Sequence, residues 1–246
     1  MEARRPSAIV TGAGSGIGAA AAATLARDGW RVACLDRDGA AAQRIAAAAG
    51  EMHLARAVDV ADEAAMVACF AELAKLLGGI DGLATCAGVL DTTPFMDVPV
   101  ATFRRLYDIN VIGTFLAIRE AARHMPRGGR ICTVASVAGL RGGGIGGTTA
   151  YAASKGAVLA LAKNAARSLA PQGISVNTVA PGPIETPMLE PVFGAPGVRQ
   201  RVESMIPQGR AGRPEEVAET IAWLLSPKAA YVNGATLTVD GGLVMP

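Results

Sequence analysis

The chain is poor in the residues that build metal sites, disulfide frameworks and nucleic-acid surfaces. It has two histidines and four cysteines in 246 residues. Cys34, Cys69, Cys86 and Cys132 are too widely spaced for metal ligation or a disulfide scaffold, and each lies in an apolar stretch, as buried, reduced thiols would. No metal is expected. Charge of one sign is also lacking: 23 basic residues against 21 acidic ones leave a net +2 with no basic cluster. Neither nucleic acid nor a membrane surface is therefore expected as a partner. No apolar stretch is long enough to span a bilayer. The apolar run that follows Arg4-Arg5-Pro6 is too short for the core of a secretory signal, so a cytoplasmic protein is expected. No linker composition divides the chain, and 1–246 reads as one domain large enough to bury a substantial core.

Short apolar runs alternate with longer Ala-rich amphipathic stretches. The runs are Ala8-Ile9-Val10-Thr11, Val32-Ala33-Cys34-Leu35, Gly82-Leu83-Ala84-Thr85, Ile131-Cys132-Thr133-Val134, Ser175-Val176-Asn177-Thr178-Val179 and Thr236-Leu237-Thr238-Val239, with a weaker one from Leu54 to Val58. Helices are predicted over 16–28, 40–49, 63–77, 102–125, 151–169 and 214–225. Seven strands separated by helices imply an α/β protein with a Rossmann-type, doubly wound, seven-stranded parallel sheet in three αβα layers. The irregular stretch from Pro181 to Gly212 is predicted to act as a lid, about 183–212, with Met188, Leu189, Val192, Phe193 and Met205 over a substrate or packed on the body.

The first strand runs into Thr11-Gly12-Ala13-Gly14-Ser15-Gly16-Ile17-Gly18 and then directly into a helix. Glycines let backbone turn sharply against a pyrophosphate, and the helix N-terminus offers it free N–H groups and partial positive charge. Asp36 ends the second strand, where a carboxylate can accept hydrogen bonds from an adenosine ribose and repel a 2′-phosphate. This favours NAD over NADP, although Arg37 follows directly and could face such a phosphate. Asp36 could also be a simple turn residue.

Tyr151 and Lys155 stand four residues apart at the head of the predicted helix 151–169, so phenol and ammonium share one face. Free tyrosine has a pKa of about 10, and forming phenolate at pH 7 costs roughly 4 kcal/mol unless a cation offsets it. Lys155 is placed to be that cation.

These motifs, in this order, resemble the short-chain dehydrogenase/reductase family along essentially the whole chain. The resemblance rests on the glycine loop at Thr11 to Gly18, Asp59-Val60, Asn110, Ser136, the Tyr151/Lys155 pair, Pro181-Gly182 with Thr186, and Val239-Asp240-Gly241-Gly242. It implies that Tyr151 is the acid/base, that Lys155 holds the nicotinamide ribose and lowers the tyrosine pKa, that Ser136 bonds the substrate oxygen, and that Asn110 helps carry a proton to solvent. It also implies a cofactor site of Gly12, Ser15, Gly16, Ile17, Gly18, Asp36, Arg37, Asp59, Val60, Ala87, Gly88, Tyr151, Lys155, Pro181, Gly182, Ile184 and Thr186, with Asp59 and Val60 at the adenine. Read singly, Ser136 could be a turn serine, and Asn110 could simply satisfy helix backbone.

Two departures stand out. Cys86-Ala87-Gly88 occupies a place where the family usually carries Asn-Ala-Gly, which predicts weaker bracing between the fourth and fifth strands. The run Arg141-Gly142-Gly143-Gly144-Ile145-Gly146-Gly147 either enlarges the pocket or moves. The function implied is an NAD-dependent oxidoreductase acting on a small secondary alcohol or ketone. The alternatives are an NADPH-dependent 3-oxoacyl-(acyl-carrier-protein) reductase, which Arg127 and Arg130 would suit, and a catalytically silent dinucleotide-binding protein. The resemblance further implies a homotetramer.

Overall fold

The predicted alternation of strand and helix is what the chain forms. A computed structural model describes residues 4–143 and 148–245. The glycine-rich stretch discussed above falls partly on residues 144–147, outside the described residues. In chain order the elements are β1 (Ser7–Thr11), α1 (Gly16–Arg27), β2 (Arg31–Asp36), α2 (Gly39–Ala49), β3 (Leu54–Ala57), α3 (Glu63–Leu77) and β4 (Gly82–Thr85). They continue with α4 (Val100–Tyr107), α5 (Gly113–Ala122), β5 (Arg130–Val134), α6 (Val137–Arg141), α7 (Thr149–Leu169) and β6 (Ser175–Pro181). The last four are α8 (Glu190–Phe193), α9 (Val198–Ser204), α10 (Pro214–Leu225) and β7 (Thr236–Val239).

The sheet order is β3-β2-β1-β4-β5-β6-β7, and every pairing is parallel. Chain direction through the sheet reverses between β1 and β4, and open α/β sheets bind ligands in the crevice at such a switch point, beyond the carboxyl ends of the strands. Both faces of the sheet are covered, so its strands are apolar on both sides rather than alternating. Ala8, Val10, Ala84 and Cys132 pack with Leu25 of α1 and Ile221 of α10. Ile9, Leu83 and Ile131 point the other way, to Phe70 and Leu73 of α3, Leu116 of α5 and Ala162 of α7. Alanine on the helix faces leaves little side chain between helix and sheet.

Three elements differ from the sequence expectation. The helix predicted over 102–125 is α4 and α5 joined by a π-helical turn, Asp108–Ile112. The stretch after β6 is not wholly irregular, since it contains α8 and α9. The short α6 was not anticipated. It lies so close to α7 that a Cβ on Gly139 would stand 2.6 Å from the Lys155 carbonyl carbon and 2.7 Å from the Gly156 nitrogen. Both are backbone atoms that cannot rotate away. Gly139→Ala is therefore expected to cost about 1–3 kcal/mol, as overpacking usually does, and to lower the thermal midpoint. An unchanged midpoint in calorimetry would mean that α6 can slide off α7 freely.

Candidate active site

The glycine loop between β1 and α1 forms one wall of a cleft. Gly12 has φ +66°, and a Cβ there would lie 2.6 Å from the Ala87 Cα, so backbone approaches backbone directly. A Cβ on Gly18 would collide with the Gly12 carbonyl. Ser15 precedes α1 in extended conformation without a capping side-chain bond, and the first turn of α1 has no acidic residue. That helix end is left free to receive an anion. Across the cleft, the Gly14 N–H donates to Asp36 Oδ2 at 2.8 Å and the Asp38 N–H donates to Asp36 Oδ1 at 2.9 Å. The carboxylate is thus fixed in orientation, with acceptor capacity to spare toward the cleft. Gly12, Ser15, Gly16, Ile17, Gly18, Asp36, Arg37, Asp59, Val60, Ala87, Gly88 and Thr186 all line this cleft. Its donor end, fixed carboxylate and close backbone approach fit the pyrophosphate and ribose of a dinucleotide.

The cleft opens into a second pocket, with Ile17, Cys86, Gly88, Thr186 and Met188 bordering both. Ser136, Tyr151, Lys155, Pro181, Gly182 and Ile184 line this second pocket. Ser136 is the N-cap of α6: the Ala138 N–H donates to its Oγ at 3.1 Å, which leaves the hydroxyl hydrogen available. Its hydroxyl is also within hydrogen-bonding reach of the Tyr151 phenol. One turn along α7, the Lys155 ammonium is buried and donates to the Val134 carbonyl at 2.8 Å. It lies 5.8 Å from the centre of the Tyr151 ring.

Burial decides the electrostatics of this pair. It pulls Lys155 down to about 8 and pushes the Tyr151 phenol above its ordinary value, with the Ser136 hydroxyl acting in the opposite direction. The expectation that Lys155 lowers the tyrosine pKa is thus reversed in the protein alone. Both groups lose hydration together, and the ammonium is turned to the Val134 carbonyl rather than to the phenol oxygen. What the arrangement can do chemically is move a proton between a buried phenol and an oxygen held by the Ser136 hydroxyl.

Asn110 lies in the π-helical turn, fully buried and outside both pockets. Its side chain is fully used: the amide donates to the Val89 carbonyl at 3.0 Å and Ser154 Oγ at 2.9 Å, and its oxygen accepts from the Val89 N–H at 2.9 Å. A side chain so engaged braces the loop after β4. Cys86 does not loosen this region. Its N–H donates to the Thr11 carbonyl at 3.1 Å, the Ala87 N–H donates to Thr11 Oγ1 at 3.3 Å, and β4 pairs with β5 along its whole length. Thr11 ties the end of β4 to β1, and Asn110 holds the loop beyond it.

Comparison with known proteins agrees with this geometry. The family model described as enoyl-(acyl carrier protein) reductase matches residues 12–244. A protein of Xanthobacter autotrophicus named inactive 2-(S)-hydroxypropyl-CoM dehydrogenase 2 is 41% identical over 88% of this chain and 96% of its own. The cis-4-hydroxycyclohexanecarboxylate dehydrogenase of Sinomonas cyclohexanicum is 41% identical over 96% of this chain and 95% of its own. A crystal structure of a short-chain dehydrogenase/reductase from Brucella melitensis, described as a glucose/ribitol dehydrogenase, superposes with a TM-score of 0.93 at 31% identity and covers 100% of both chains. The chain belongs to the short-chain dehydrogenase/reductase family. It is accordingly an oxidoreductase of a family that works with nicotinamide cofactors.

Other residues of this short-chain dehydrogenase lie where the sequence did not suggest. Arg127 precedes and Arg130 begins β5, at the end of the strands opposite the pockets, and they bond the Pro171 and Ala229 carbonyls. They do not ring the active-site mouth. Met188, Leu189, Val192 and Phe193 line the second pocket, but Met205 does not; it is 42% exposed, and Val202 of α9 points inward. Arg141, at the head of the glycine run expected to shape the pocket, does line it, whereas Ile109 in the cleft and Leu90 and Leu243 in the pocket were missed. They belong to no motif and reach the site only through the path of the backbone.

Proposed function

We propose that this short-chain dehydrogenase uses NAD to interconvert a secondary alcohol and its ketone, with Tyr151 as acid/base. The observation that carries the reading is the meeting of Ser136, Tyr151 and Lys155 where the dinucleotide cleft opens into an apolar pocket. A bound nicotinamide supplies the hydride acceptor. In oxidation the ionised Tyr151 oxygen takes the alcohol proton, while the Ser136 hydroxyl donates to the same substrate oxygen and fixes its direction. Lys155, bordering Gly88 of the cleft, holds the ribose side of the cofactor and provides the positive charge of the site. Pro181, Gly182, Ile184 and Thr186 form the floor under the reacting ring. The segment 183–212 covers the substrate, and the apolar walls exclude water.

Arg127 and Arg130, far from the pocket mouth, give no support to an acyl-carrier reductase. The silent alternative is disfavoured because Ser136, Tyr151 and Lys155 all line one pocket, with Ser136 and Lys155 held by hydrogen bonds. The functional test is growth of the reduced-nicotinamide absorbance with a panel of secondary alcohols and either cofactor; no turnover with any of them would favour the silent protein. Assembly into a homotetramer is supported by Ile112 and Phe115, which remain 45% and 42% exposed on the surface of the α4–α5 rod. Sedimentation of the purified chain tests it.

Asp36 makes a further prediction. NAD is expected to be used at least about tenfold better than NADP, because a phosphate dianion against this fixed carboxylate costs more than about 1.4 kcal/mol. Steady-state kcat/KM with both cofactors measures it. Equal values would mean that the exposed Arg37 governs the choice.

A further inference from the structure

The substrate pocket contains a charge that the chemistry at Tyr151 does not use. Its outer wall is apolar, formed by Leu90, Met188, Leu189, Val192, Phe193 and Leu243, and no aspartate or glutamate is among its lining residues. Two cations border it. Lys155 is buried and bonded to the Val134 carbonyl. Arg141 is exposed, and among the described residues its guanidinium has neither an ion-pair partner nor a hydrogen bond. The chain does not lack acids to pair arginines with: Arg27, Arg56, Arg119, Arg199 and Arg210 each have a carboxylate within 2.8 Å. One of those pairs, Arg199–Glu185, flanks the pocket, with Arg199 stacked on Phe193, and Glu185 is thereby already engaged. The run that follows, Gly142-Gly143-Gly144-Ile145-Gly146-Gly147, contains no acidic side chain either.

We propose that Arg141 recognises an anionic group on the substrate, so that the enzyme acts on secondary alcohols carrying a carboxylate at the end away from the carbinol. The inference rests on the dehydrogenase reading above and names its substrate class. α6 supplies the ruler. Ser136 caps its start and Arg141 ends it five residues later, which at 1.5 Å per residue separates their backbones by roughly 7 Å. A substrate oxygen at Ser136 and a carboxylate at the guanidinium would then be bridged by an apolar spacer, which the Leu, Met, Val and Phe walls suit. A guanidinium fork can bond a carboxylate through two parallel N–H donors, and does so more strongly where apolar walls limit water. A neutral or cationic terminus would leave Arg141 without such a partner.

The test compares (ω−1)-hydroxy acids of increasing length with their methyl esters, as kcat/KM with NAD, in the native enzyme and in Arg141→Gln and Arg141→Lys. The native enzyme is expected to prefer the acid of best length over its ester at least about tenfold, equivalent to 1.4 kcal/mol. That ratio should collapse in Arg141→Gln and be intermediate in Arg141→Lys, which keeps the charge and loses the fork. A native ratio near one, or a ratio that survives Arg141→Gln, overturns the proposal while leaving the dehydrogenase reading intact. If none of these compounds turns over, the dehydrogenase reading is decided separately by the wider alcohol panel with either cofactor. Calorimetric binding of the same acids then decides for Arg141: binding by the native chain and not by Arg141→Gln upholds the assignment, whereas equal binding or none overturns it.

Discussion

Tyr151→Phe is expected to lower kcat for alcohol oxidation by at least about a hundredfold while reduced-cofactor binding survives. General acid/base groups are typically worth 10² to 10⁴ in rate. This phenol is the ionisable group on which the Ser136 hydroxyl acts, and both line the pocket. The substitution keeps the ring that helps form the pocket wall and removes only the oxygen, so binding and proton transfer separate cleanly. Single-turnover rates with a deuterated alcohol identify the chemical step, and fluorescence titration follows the cofactor. Near-native turnover in the variant would sink the assignment of Tyr151.

Lys155→Met is expected to reduce turnover by about a hundredfold and, at the same time, to stabilise the cofactor-free protein at neutral pH. The kinetic loss follows from taking the one buried cation out of an acid/base site. The gain in stability follows from the same burial. Lys155 titrates at about 8 in the folded chain against an ordinary value of 10.5. Between those values the unfolded chain binds a proton that the folded chain does not, so native stability rises with pH across the window. Below pH 8 the buried ammonium costs on the order of 3 kcal/mol. Methionine removes that cost and forfeits the bond to the Val134 carbonyl, worth about 1 kcal/mol. Thermal midpoints should therefore be higher for the variant at pH 7, with the advantage shrinking toward pH 10. A variant less stable at pH 7, or an advantage independent of pH, would show that the ammonium is better solvated than its surroundings suggest.

What could be read from the sequence was whatever short range controls. The strands were legible because both faces of the sheet are covered, which turns β1, β4 and β5 into unbroken apolar runs. The glycine loop and the Tyr151/Lys155 spacing were legible because a tight turn and one helical turn are local events. The π-helical turn at Asp108–Ile112 was not, since no composition marks the extra residue and its cause is tertiary: Asn110 binds Val89 and Ser154. The five residues of α6 and four of α8 are too few to display a helical period. Met205 misled because an apolar residue in a loop shows no face until the backbone is set. The tyrosine pKa misled because sequence gives the spacing of the pair but not how deeply both groups are enclosed.

The enclosure of the thiols has a consequence for the protein in air. Cys86 stands where the two pockets meet, beside Lys155, yet burial pushes its pKa to about 12; Cys34 stands at about 12, Cys69 at about 11, and Cys132 is raised as well. Sulfur oxidises and alkylates through its thiolate, and at pH 7 a thiol with a pKa of 12 is ionised in only about one molecule in 10⁵. The side chain at the junction of the site, partly exposed where it lines both pockets, is therefore expected to react slowly with peroxide and iodoacetamide.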